Sequence, residues 1–527
     1  MQLTQGIHRA VQLHPDRPAL LCDERTVSWR EFADRVARLA GAFRERGVAA
    51  GDRIAIVSNN SDRYVEFYFA TLWCGGVILP INTRASIDEM AACLDDAEPT
   101  LLACDRAHLD VARTLRERCA SVRGLVIAAA PVANDAAGRR TEAGAAHWED
   151  LVGSTAPIAD ARRNGSDLAC LFYTGGTTGR AKGVMLSHDN LMANAMMQIA
   201  NLGLGEGAVH LHVSPMFHVA GGARVFSTTV AGATHATIGP FDPDAFLAAI
   251  ERFKVSVTVV VPTVLNRLVD HPHLDRYDLS SLRLLSYGAS PMPEALLERA
   301  LDRFKGIAFL QSYGMTELSP VATMLLPRYH TFEGPDAGYT RSAGQAVYNA
   351  DVVAMDDHDR PVPTGTIGEI CVRGPMVMQG YWRQPELTAQ AVRDGWMHTG
   401  DAGYIDERGF VFLVDRVKDM IVTGGENVYS AEVENAIYQH PAVHECAVIG
   451  VPSEAWGEAV HAIVVPKPNA TVSAAEIVAF CRERIAHYKT PKSCEIRTQE
   501  LPKSGAGKIM KAELRKPFWK DATRGIN

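Results

Sequence analysis

A group of residues suited to binding an anion lies between two apolar runs near residue 177. The stretch reads Leu171-Phe172-Tyr173-Thr174-Gly175-Gly176-Thr177-Thr178-Gly179-Arg180-Ala181-Lys182-Gly183-Val184. Glycine lets backbone N–H groups approach an anion closely, threonine hydroxyls add neutral donors, and Lys182 adds a positive charge. This combination is typical of a loop that cradles the phosphates of a nucleotide. A Gly- and Thr-rich hairpin turn is the alternative that composition leaves open.

Two common phosphate-binding loops do not match this stretch. A P-loop needs Gly-Lys followed by Ser or Thr, whereas Lys182 stands between Ala181 and Gly183. A dinucleotide fingerprint needs a residue between its first two glycines, but Gly175 and Gly176 are adjacent. The loop therefore predicts nucleotide phosphates held in some other way.

Length and composition bound the class of protein. The chain has 527 residues, which predicts two or more domains, and a net charge of −8, which argues against nucleic acid as the main partner. None of the 10 cysteines forms a C-x-x-C pair, so a zinc or redox motif is not expected, and a reducing cytoplasm fits best. The N-terminus lacks the pattern of a signal peptide, and no apolar run approaches the ~20 residues of a membrane helix.

Strand and helix patterns alternate along most of the chain. Residues 53–58 and the β-branched run 255–261 predict buried strands, and 64–74 and 293–305 predict helices. Such alternation favours an α/β fold with largely parallel sheets. Residues 128–163, rich in Ala, Gly, Asp and Arg, are expected to form a surface excursion with little structure.

The pattern changes after about residue 409. A strand-like run leads into Asp415-Arg416-Val417-Lys418-Asp419, and two strand-like runs flanked by helices follow. This is typical of a small α+β domain. We therefore predict a large N-terminal domain over 1–415, a connecting segment over 416–419, and a small C-terminal domain over 420–527.

Four further motifs follow the glycine-rich loop along the chain. They are Gln311-Ser312-Tyr313-Gly314-Met315-Thr316-Glu317, His398-Thr399-Gly400-Asp401, Asp415 to Asp419 with Gly424-Gly425-Glu426-Asn427, and Pro502-Lys503-Ser504-Gly505-Ala506-Gly507-Lys508-Ile509. In this order they resemble the adenylate-forming superfamily of acyl-CoA synthetases, adenylation domains and beetle luciferases. The resemblance covers nearly the whole chain, and the joint match makes a simple hairpin turn an improbable explanation of the loop.

The resemblance implies a two-step ligase that uses ATP, Mg²⁺ and CoA. A carboxylate attacks the α-phosphate of ATP and releases pyrophosphate, and a thiol then displaces AMP from the acyl-adenylate. Because the first step joins two anions, their charges must be screened and their geometry held. By resemblance Lys508 is the catalytic cation, and Glu317 is catalytic as the Mg²⁺ ligand, a role in which one carboxylate suffices.

The resemblance also implies that the domain 1–415 binds ATP and the acid, that 416–419 is a hinge, and that the small domain 420–527 is mobile and carries Lys508. It implies further site residues as well. ATP or AMP binding is expected from Thr174, Gly175, Gly176, Thr177, Thr178, Gly179, Lys182, Gly288, Ala289, Ser290, Gln311, Ser312, Tyr313, Gly314, Met315, Thr316, Asp401 and Arg416. Within this set Tyr313 would stack on adenine, and Asp401 would accept hydrogen bonds from both ribose hydroxyls. Lys418 falls at the hinge, about which the small domain would rotate between the two steps, and Gly424, Gly425 and Glu426 would then face the thioester site.

The acid pocket is expected next to the nucleotide site. Its candidate residues are His218, Val219, Ala220, Gly221, Gly222, Tyr287, Gly288 and Met315. His218 is a third catalytic candidate, which would orient the carboxylate or gate the thiol tunnel. The small apolar residues favour an open hydrophobic pocket and a fatty or aryl acid. These segments contain no arginine or lysine that could hold a second carboxylate, which argues against a dicarboxylic acid. Arg224 is the nearest cation, and it weakens this objection without removing it.

Three functional classes follow from these expectations. The first is an AMP-forming acid–CoA ligase, the second is an adenylation enzyme that loads a carrier protein in trans, and the third is an adenylate binder without activity. The presence of both Lys508 and Glu317 disfavours the third class. The partners expected are a small carboxylic acid, ATP and CoA, with no nucleic acid and no integral membrane segment, and a homodimer is left open.

Overall fold

The computed structural model describes residues 1–129, 145–174, 181–290, 292–416, 419–423, 426–453, 455–503 and 509–519. Fifteen α-helices lie within these residues. They are α1 Gln5–Leu13, α2 Trp29–Glu45, α3 Asp62–Trp73, α4 Ile87–Ala97, α5 Leu109–Arg118, α6 Trp148–Ser154, α7 His188–Leu202, α8 Val219–Ala231, α9 Pro243–Phe253, α10 Pro262–Val269, α11 Glu294–Arg303, α12 Pro385–Ala391, α13 Ser430–Tyr438, α14 Ala474–Arg482 and α15 Lys511–Arg515. Among the helices of the described ranges, none combines the length and the apolar character needed to cross a bilayer.

The same ranges contain 27 strands. They are β1 Pro18–Cys22, β2 Arg25–Ser28, β3 Arg53–Val57, β4 Val77–Pro80, β5 Leu101–Cys104, β6 Gly124–Ile127, β7 Ala145–His147, β8 Leu168–Thr174, β9 Lys182–Ser187, β10 Val209–His212, β11 Thr234–Thr237, β12 Val257–Val260, β13 Leu284–Gly288, β14 Ala308–Gly314, β15 Val321–Leu325, β16 Gln345–Ala346, β17 Asp351–Met355, β18 Gly368–Arg373, β19 Gly380–Tyr381, β20 Val392–Arg393, β21 Trp396–Ile405, β22 Val411–Arg416, β23 Ile421–Thr423, β24 Glu426–Val428, β25 Val443–Ser453, β26 Gly457–Pro466 and β27 Ser493–Ile496.

Four sheets organise these strands. An eight-stranded sheet has the order β19-β9-β8-β4-β3-β5-β6-β7, and a nine-stranded sheet has the order β16-β15-β14-β13-β12-β10-β11-β1-β2. Their central strands run parallel, with antiparallel strands at the edges. A five-stranded sheet contains β17-β18-β21-β20 with β22 on β21, and another contains β24-β23-β26-β25 with β27 on β26. The predicted α/β fold with mostly parallel sheets in the large N-terminal part, and a smaller α+β part after it, is confirmed.

Several elements expected from hydrophobic pattern are present within a few residues of their predicted bounds. The strands predicted at 53–58 and 255–261 are β3 and β12, and the helices predicted at 64–74 and 293–305 are α3 and α11. Strands β4, β5 and β12 are buried along their whole length, which explains their continuous apolar sequences.

The expectation of little structure for residues 128–163 is wrong for 145–154, whereas 155–163 contain no helix or strand. Residues 145–147 add strand β7 to the edge of the eight-stranded sheet, and α6 follows at once. Trp148 at the start of α6 is fully buried, and its indole N–H donates to Glu66 Oε2 at 2.7 Å. Polar composition hid one large aromatic residue that anchors the segment to the core. Residues 130–144 lie outside the described ranges.

The chain passes from the third sheet to the fourth near the predicted hinge. Strand β22 pairs with β21, whereas β23 pairs with β26. The Ser430 hydroxyl at the start of α13 donates to Asp415 Oδ1 at 3.0 Å, and Lys511 Nζ on α15 lies 2.6 Å from the same hydroxyl. The division at 416–419 remains a prediction, and Lys418 lies outside the described residues.

Candidate active site

The strands that flank the glycine-rich loop form an antiparallel hairpin. Thr174 at the end of β8 is paired in register with Lys182 at the start of β9. The loop residues between them, Gly175, Gly176, Thr177, Thr178 and Gly179, lie outside the described residues. The Nζ of Lys182 lies 5.1 Å from the ring centroid of Tyr381, which follows on β19 beside β9. The hairpin therefore places Lys182 against the ring of Tyr381, which also contacts the candidate metal ligand Glu317.

Tyr381 connects this hairpin to the candidate metal ligand. Its hydroxyl donates to Glu317 Oε1 at 2.8 Å, and Glu317 is only 6% exposed. Burial and the neighbouring Glu317 carboxylate raise the pKa of Tyr381, so the phenol remains a hydrogen-bond donor at neutral pH. Glu317 lies on the short 3₁₀ turn Thr316–Leu318 that follows β14, and Thr316 is buried beside it. One carboxylate with a neighbouring hydroxyl fits Mg²⁺, which takes few protein ligands and keeps phosphate oxygens or waters.

The residues predicted to form the nucleotide slot lie at the carboxyl ends of β13 and β14. Gly288 is in register with Ser312, and a Cβ on Gly288 would come within 2.3 Å of the Ser312 carbonyl oxygen. Ala289 takes φ +67, a left-handed conformation, and with Ser290 it leads the chain away from the strand. The carboxyl ends of parallel strands are the usual ligand-binding edge of such sheets. The strip Gln311, Ser312, Tyr313, Gly314 and Met315 is only half-buried there, so it is accessible to a ligand.

Two of the predicted nucleotide contacts meet across different sheets. The Tyr313 hydroxyl on β14 donates to Asp401 Oδ2 on β21 at 2.7 Å. The backbone N–H of Asp401 donates to the Thr399 hydroxyl at 3.1 Å, and that hydroxyl donates to the Ile370 carbonyl at 2.6 Å. The carboxylate expected to bind ribose is therefore held beside the ring expected to contact adenine.

His218 begins helix α8 and caps it. Its Nδ1 accepts a hydrogen bond from the Ala220 N–H at 3.2 Å. Burial lowers the pKa of His218 to about 4, so the imidazole is neutral at neutral pH. Because Nδ1 is the acceptor, the remaining ring proton is on Nε2, and His218 presents an N–H donor from that atom. This state suits orienting a carboxylate better than removing a proton from a thiol.

Two expectations for the acid pocket need correction. Gly221 and Gly222 do not open space, because a Cβ would lie 2.3 Å from the Pro215 carbonyl oxygen and 2.5 Å from Tyr68 Oη respectively. They allow α8 to pack closely against its neighbours. The side chain of Tyr287 is fully buried and hydrogen-bonded to His330 Nε2 at 3.1 Å, so it belongs to the hydrophobic core of the nine-stranded sheet. Val219 is buried, whereas Ala220 and Met315 are half-buried and more accessible.

The remaining candidates lie at or beyond the limits of the described structure. Lys508, Lys418, Gly424 and Gly425 lie outside the described residues, and Arg416 is placed by its backbone alone, in register with Asp401. Glu426 is exposed on β24. Lys503 and Ile509, which flank the Lys508 segment, pair in an antiparallel bridge.

Sequence reasoning missed Tyr381 and a buried amide pair on α7. Asn194 Nδ2 donates to the carbonyl oxygens of Leu318 and Val321 at 3.2 and 2.9 Å, on either side of the turn that carries Glu317. Gln198, one turn later, donates to Asn194 Oδ1. No spacing in the sequence links residues 194 or 381 to residue 317, because sheet order and helix packing bring them together.

Comparisons with known proteins identify the family of this chain. The family model described as AMP-binding enzyme matches residues 7–382, and the one described as AMP-binding enzyme C-terminal domain matches residues 432–508. The chain is 39% identical over 513 residues to feruloyl-CoA synthase from an Amycolatopsis species, covering 97% of this chain and 98% of the relative. It is 34% identical to the fatty acid–[acyl-carrier-protein] ligase ScoC from Streptomyces coeruleorubidus, covering 100% and 98%.

Solved structures show the same likeness. ATP-bound MatB from Rhodopseudomonas palustris has a TM-score of 0.87 and 31% identity, covering 99% of this chain and 100% of that one. The superfamily expected from the five motifs is confirmed, and so is the expected class of AMP-forming acid–thiol ligase. The chain belongs to the AMP-binding enzyme family, within the adenylate-forming superfamily.

Proposed function

We propose that the protein activates a fatty or aryl carboxylic acid with ATP and then transfers the acyl group to CoA. The first step gives an acyl-adenylate and pyrophosphate, and the second gives acyl-CoA and AMP. The observation that carries the proposal is the cluster of Lys182, Tyr381 and Glu317, which joins the phosphate-loop hairpin to the turn after β14. CoA as the acceptor is supported by the likeness to feruloyl-CoA synthase.

The proposal gives a task to each main side chain of the candidate site that the structure describes. Thr174, Lys182 and Thr316 bind phosphate oxygens, and Asp401 binds the ribose hydroxyls on the side opposite its bond to Tyr313. Glu317 would hold Mg²⁺, which supplies positive charge against the phosphates when it is bound. The Nε2–H of His218 donates to the acid's carboxylate and fixes which oxygen faces the α-phosphate.

The proposal includes Lys508 as the catalytic cation and a rotation of the C-terminal domain 420–527 about residues 416–419. Lys511, shortly beyond Lys508, is mostly buried, and its Nζ lies 2.7 Å from Glu434 Oε1 on α13. This pair fixes the start of α15 to α13, so the segment that carries Lys508 moves with the small domain. A hinge motion of this type lets one site serve two half-reactions. A cytoplasmic location is also proposed, supported by the free thiols of all 10 cysteines.

The test measures pyrophosphate release and acyl-CoA formation with fatty, aryl and dicarboxylic acids, with and without CoA. We expect acid-dependent pyrophosphate release and a thioester when CoA is present. Pyrophosphate release that depends on no acid would refute the proposal. An acyl-adenylate that accumulates unchanged with CoA present would favour a carrier protein as acceptor.

A lysine variant separates the two half-reactions. Lys508→Ala is expected to lower adenylate formation by at least about 100-fold, because one preorganised cation is lost from the transition state. Thioester formation from supplied acyl-adenylate should fall much less. The exposed Lys516, paired with Glu513, provides the matched control, and Lys516→Ala should leave both steps unchanged. Equal loss of both steps in Lys508→Ala would contradict the proposed rotation.

A further inference from the structure

Arg224 is a buried cation without a counterion among the described residues. It lies on α8 and is only 3% exposed. Its Nη1 donates to Gln198 Oε1 at 2.7 Å, and its Nε has no hydrogen-bond partner. Burial lowers the pKa of Arg224 to about 10, so the group is still charged at neutral pH. Burying a charge without an anionic partner is unfavourable, so its retention calls for an explanation.

The groups packed near Arg224 are neutral. His210 and His212 on β10 have lowered pKa values because they are buried and because Arg224 adds positive charge. His212 is hydrogen-bonded to His235 at 2.9 Å, and His210 to the Thr228 hydroxyl at 2.7 Å. Since these side chains already bond to one another and carry no negative charge, they do not neutralise the guanidinium.

Arg224 lies on the helix whose first residues are proposed for the acid site. It shares a stripe of α8 with Ala220 and Gly221, because residues three and four apart face the same way, and it lies about 6 Å along the axis from Ala220. Gln198 accepts a hydrogen bond from Arg224 and donates one to Asn194. Asn194 in turn donates to the carbonyl oxygens on either side of the Glu317 turn. A chain of neutral amides therefore links the buried cation to the edge of the nucleotide site.

We propose that Arg224 determines acid specificity by binding an electronegative oxygen at the end of the acid distant from the reacting carboxylate. A second carboxylate and a phenolic oxygen share this chemistry. The inference rests on the proposed function, since it assigns a role within that same acid site. A site built around a buried donor strongly rejects an analogue that leaves the donor unpaired. Arg224 therefore narrows the proposed fatty or aryl acids to those that carry a second carboxylate or a phenolic oxygen at the distant end, and makes the plain acids poor substrates.

Matched acid pairs test this inference. We would measure kcat/KM for pyrophosphate release with cinnamic and 4-hydroxycinnamic acid, and with hexanoic and adipic acid. In the wild type the oxygen-bearing member of at least one pair should be preferred by about 100-fold or more. Arg224→Met should reduce that ratio to about one while keeping or improving activity on the plain acid. The pair that shows the preference distinguishes a phenolic from a carboxylate oxygen.

Two further variants keep the test decisive. Arg224→Lys retains the charge and should keep part of the preference. Thr228→Val removes another buried polar group from the same helix and should leave the ratio unchanged. A wild type without preference in either pair, or an Arg224→Met variant that lowers both acids of a pair equally, would overturn the inference. A clear loss of thermal stability in Arg224→Met would likewise make Arg224 a structural residue. If the wild type activates no acid at all, it is the proposed function that fails.

Discussion

Arg35 on α2 and Arg224 on α8 are both buried guanidinium groups, but their surroundings differ in charge. Arg35 donates to Glu66 Oε1 at 2.7 Å and to Glu149 Oε2 at 3.0 Å, whereas Arg224 has only the neutral amide of Gln198. Burial acts to lower both pKa values. The two carboxylates nevertheless raise the pKa of Arg35 above its usual value, whereas nothing offsets burial at Arg224.

This difference separates a structural charge from one available to a ligand. Glu66 is fully buried and accepts hydrogen bonds from Arg25, Arg35 and the Trp148 indole. The charges of this cluster are therefore neutralised by other side chains of the protein. Its pKa is lowered even though burial alone would raise it, because the arginines stabilise the carboxylate. The region around Arg224 depends instead on close packing at glycines and on neutral hydrogen bonds. The same residue type therefore stabilises the fold at one place and leaves binding capacity at the other.

The largest expected effect comes from breaking the paired region. Glu66→Gln leaves the buried Arg35 and the half-buried Arg25 without their shared carboxylate and should lower the free energy of unfolding by about 3–5 kcal/mol. Urea unfolding followed by circular dichroism measures it. Asp34→Asn on α2, the helix that carries Arg35, breaks the exposed Arg38–Asp34 pair, whose atoms are 2.7 Å apart. This control should cost at most about 0.5 kcal/mol. Equal losses in the free energy of unfolding of the two variants would show that the buried ion cluster contributes no more to stability than an exposed ion pair.

The difference between these regions also explains what the sequence could reveal. Strands such as β3 and β12 follow from apolar runs, and the motifs singled out Thr174 and Glu317, which the structure has at the end of β8 and on the turn after β14. Those features depend on local pattern. The contact between Tyr381 and Glu317 depends on β19 lying beside β9, which no local pattern encodes.

Arg224 illustrates the same limit more sharply. Its type was visible in the sequence, but the absence of a nearby carboxylate depends on which helices and strands surround it. Gly221 and Gly222 suggested an open pocket as small residues, yet their neighbours in space fill the volume beside them. Tyr287 was assigned to the pocket by resemblance, whereas strand alternation turns its side chain into the core.

A smaller effect is expected from perturbing the packing that holds α8. In Gly222→Ala the new Cβ would lie 2.5 Å from Tyr68 Oη and 2.8 Å from Phe172 Cζ, so α8 or its neighbours must shift. The expected loss is about 1–3 kcal/mol in the free energy of unfolding. Gly205→Ala is the control, because nothing lies within 4 Å of its added Cβ. If Gly222→Ala were no worse than Gly205→Ala, close packing would not be what positions α8.

The smallest effect is a difference in pH dependence between the two regions. Burial, with Arg224 as the second cause, lowers the pKa of His212 to about 3. The unfolded chain binds a proton at this histidine below about pH 6.5 while the folded chain does not, so stability falls as the pH decreases from there toward the folded value. Glu66 has a lowered pKa, so its contribution is complete above the unfolded carboxyl value and is lost only at lower pH. Between about pH 6.5 and about pH 5, the loss therefore comes from buried histidines, of which His212 is one, and not from the ion cluster.

Urea unfolding of the wild type and His212→Asn at several pH values measures this difference. The wild-type free energy of unfolding should decrease in that window, and the variant should reduce the slope by up to about 1.4 kcal/mol per pH unit, the value for one proton. Glu66→Gln should leave the slope in the same window unchanged, although its stability is lower throughout. If Glu66→Gln reduced the slope and His212→Asn did not, the paired cluster, and not the neutral region around Arg224, would titrate first.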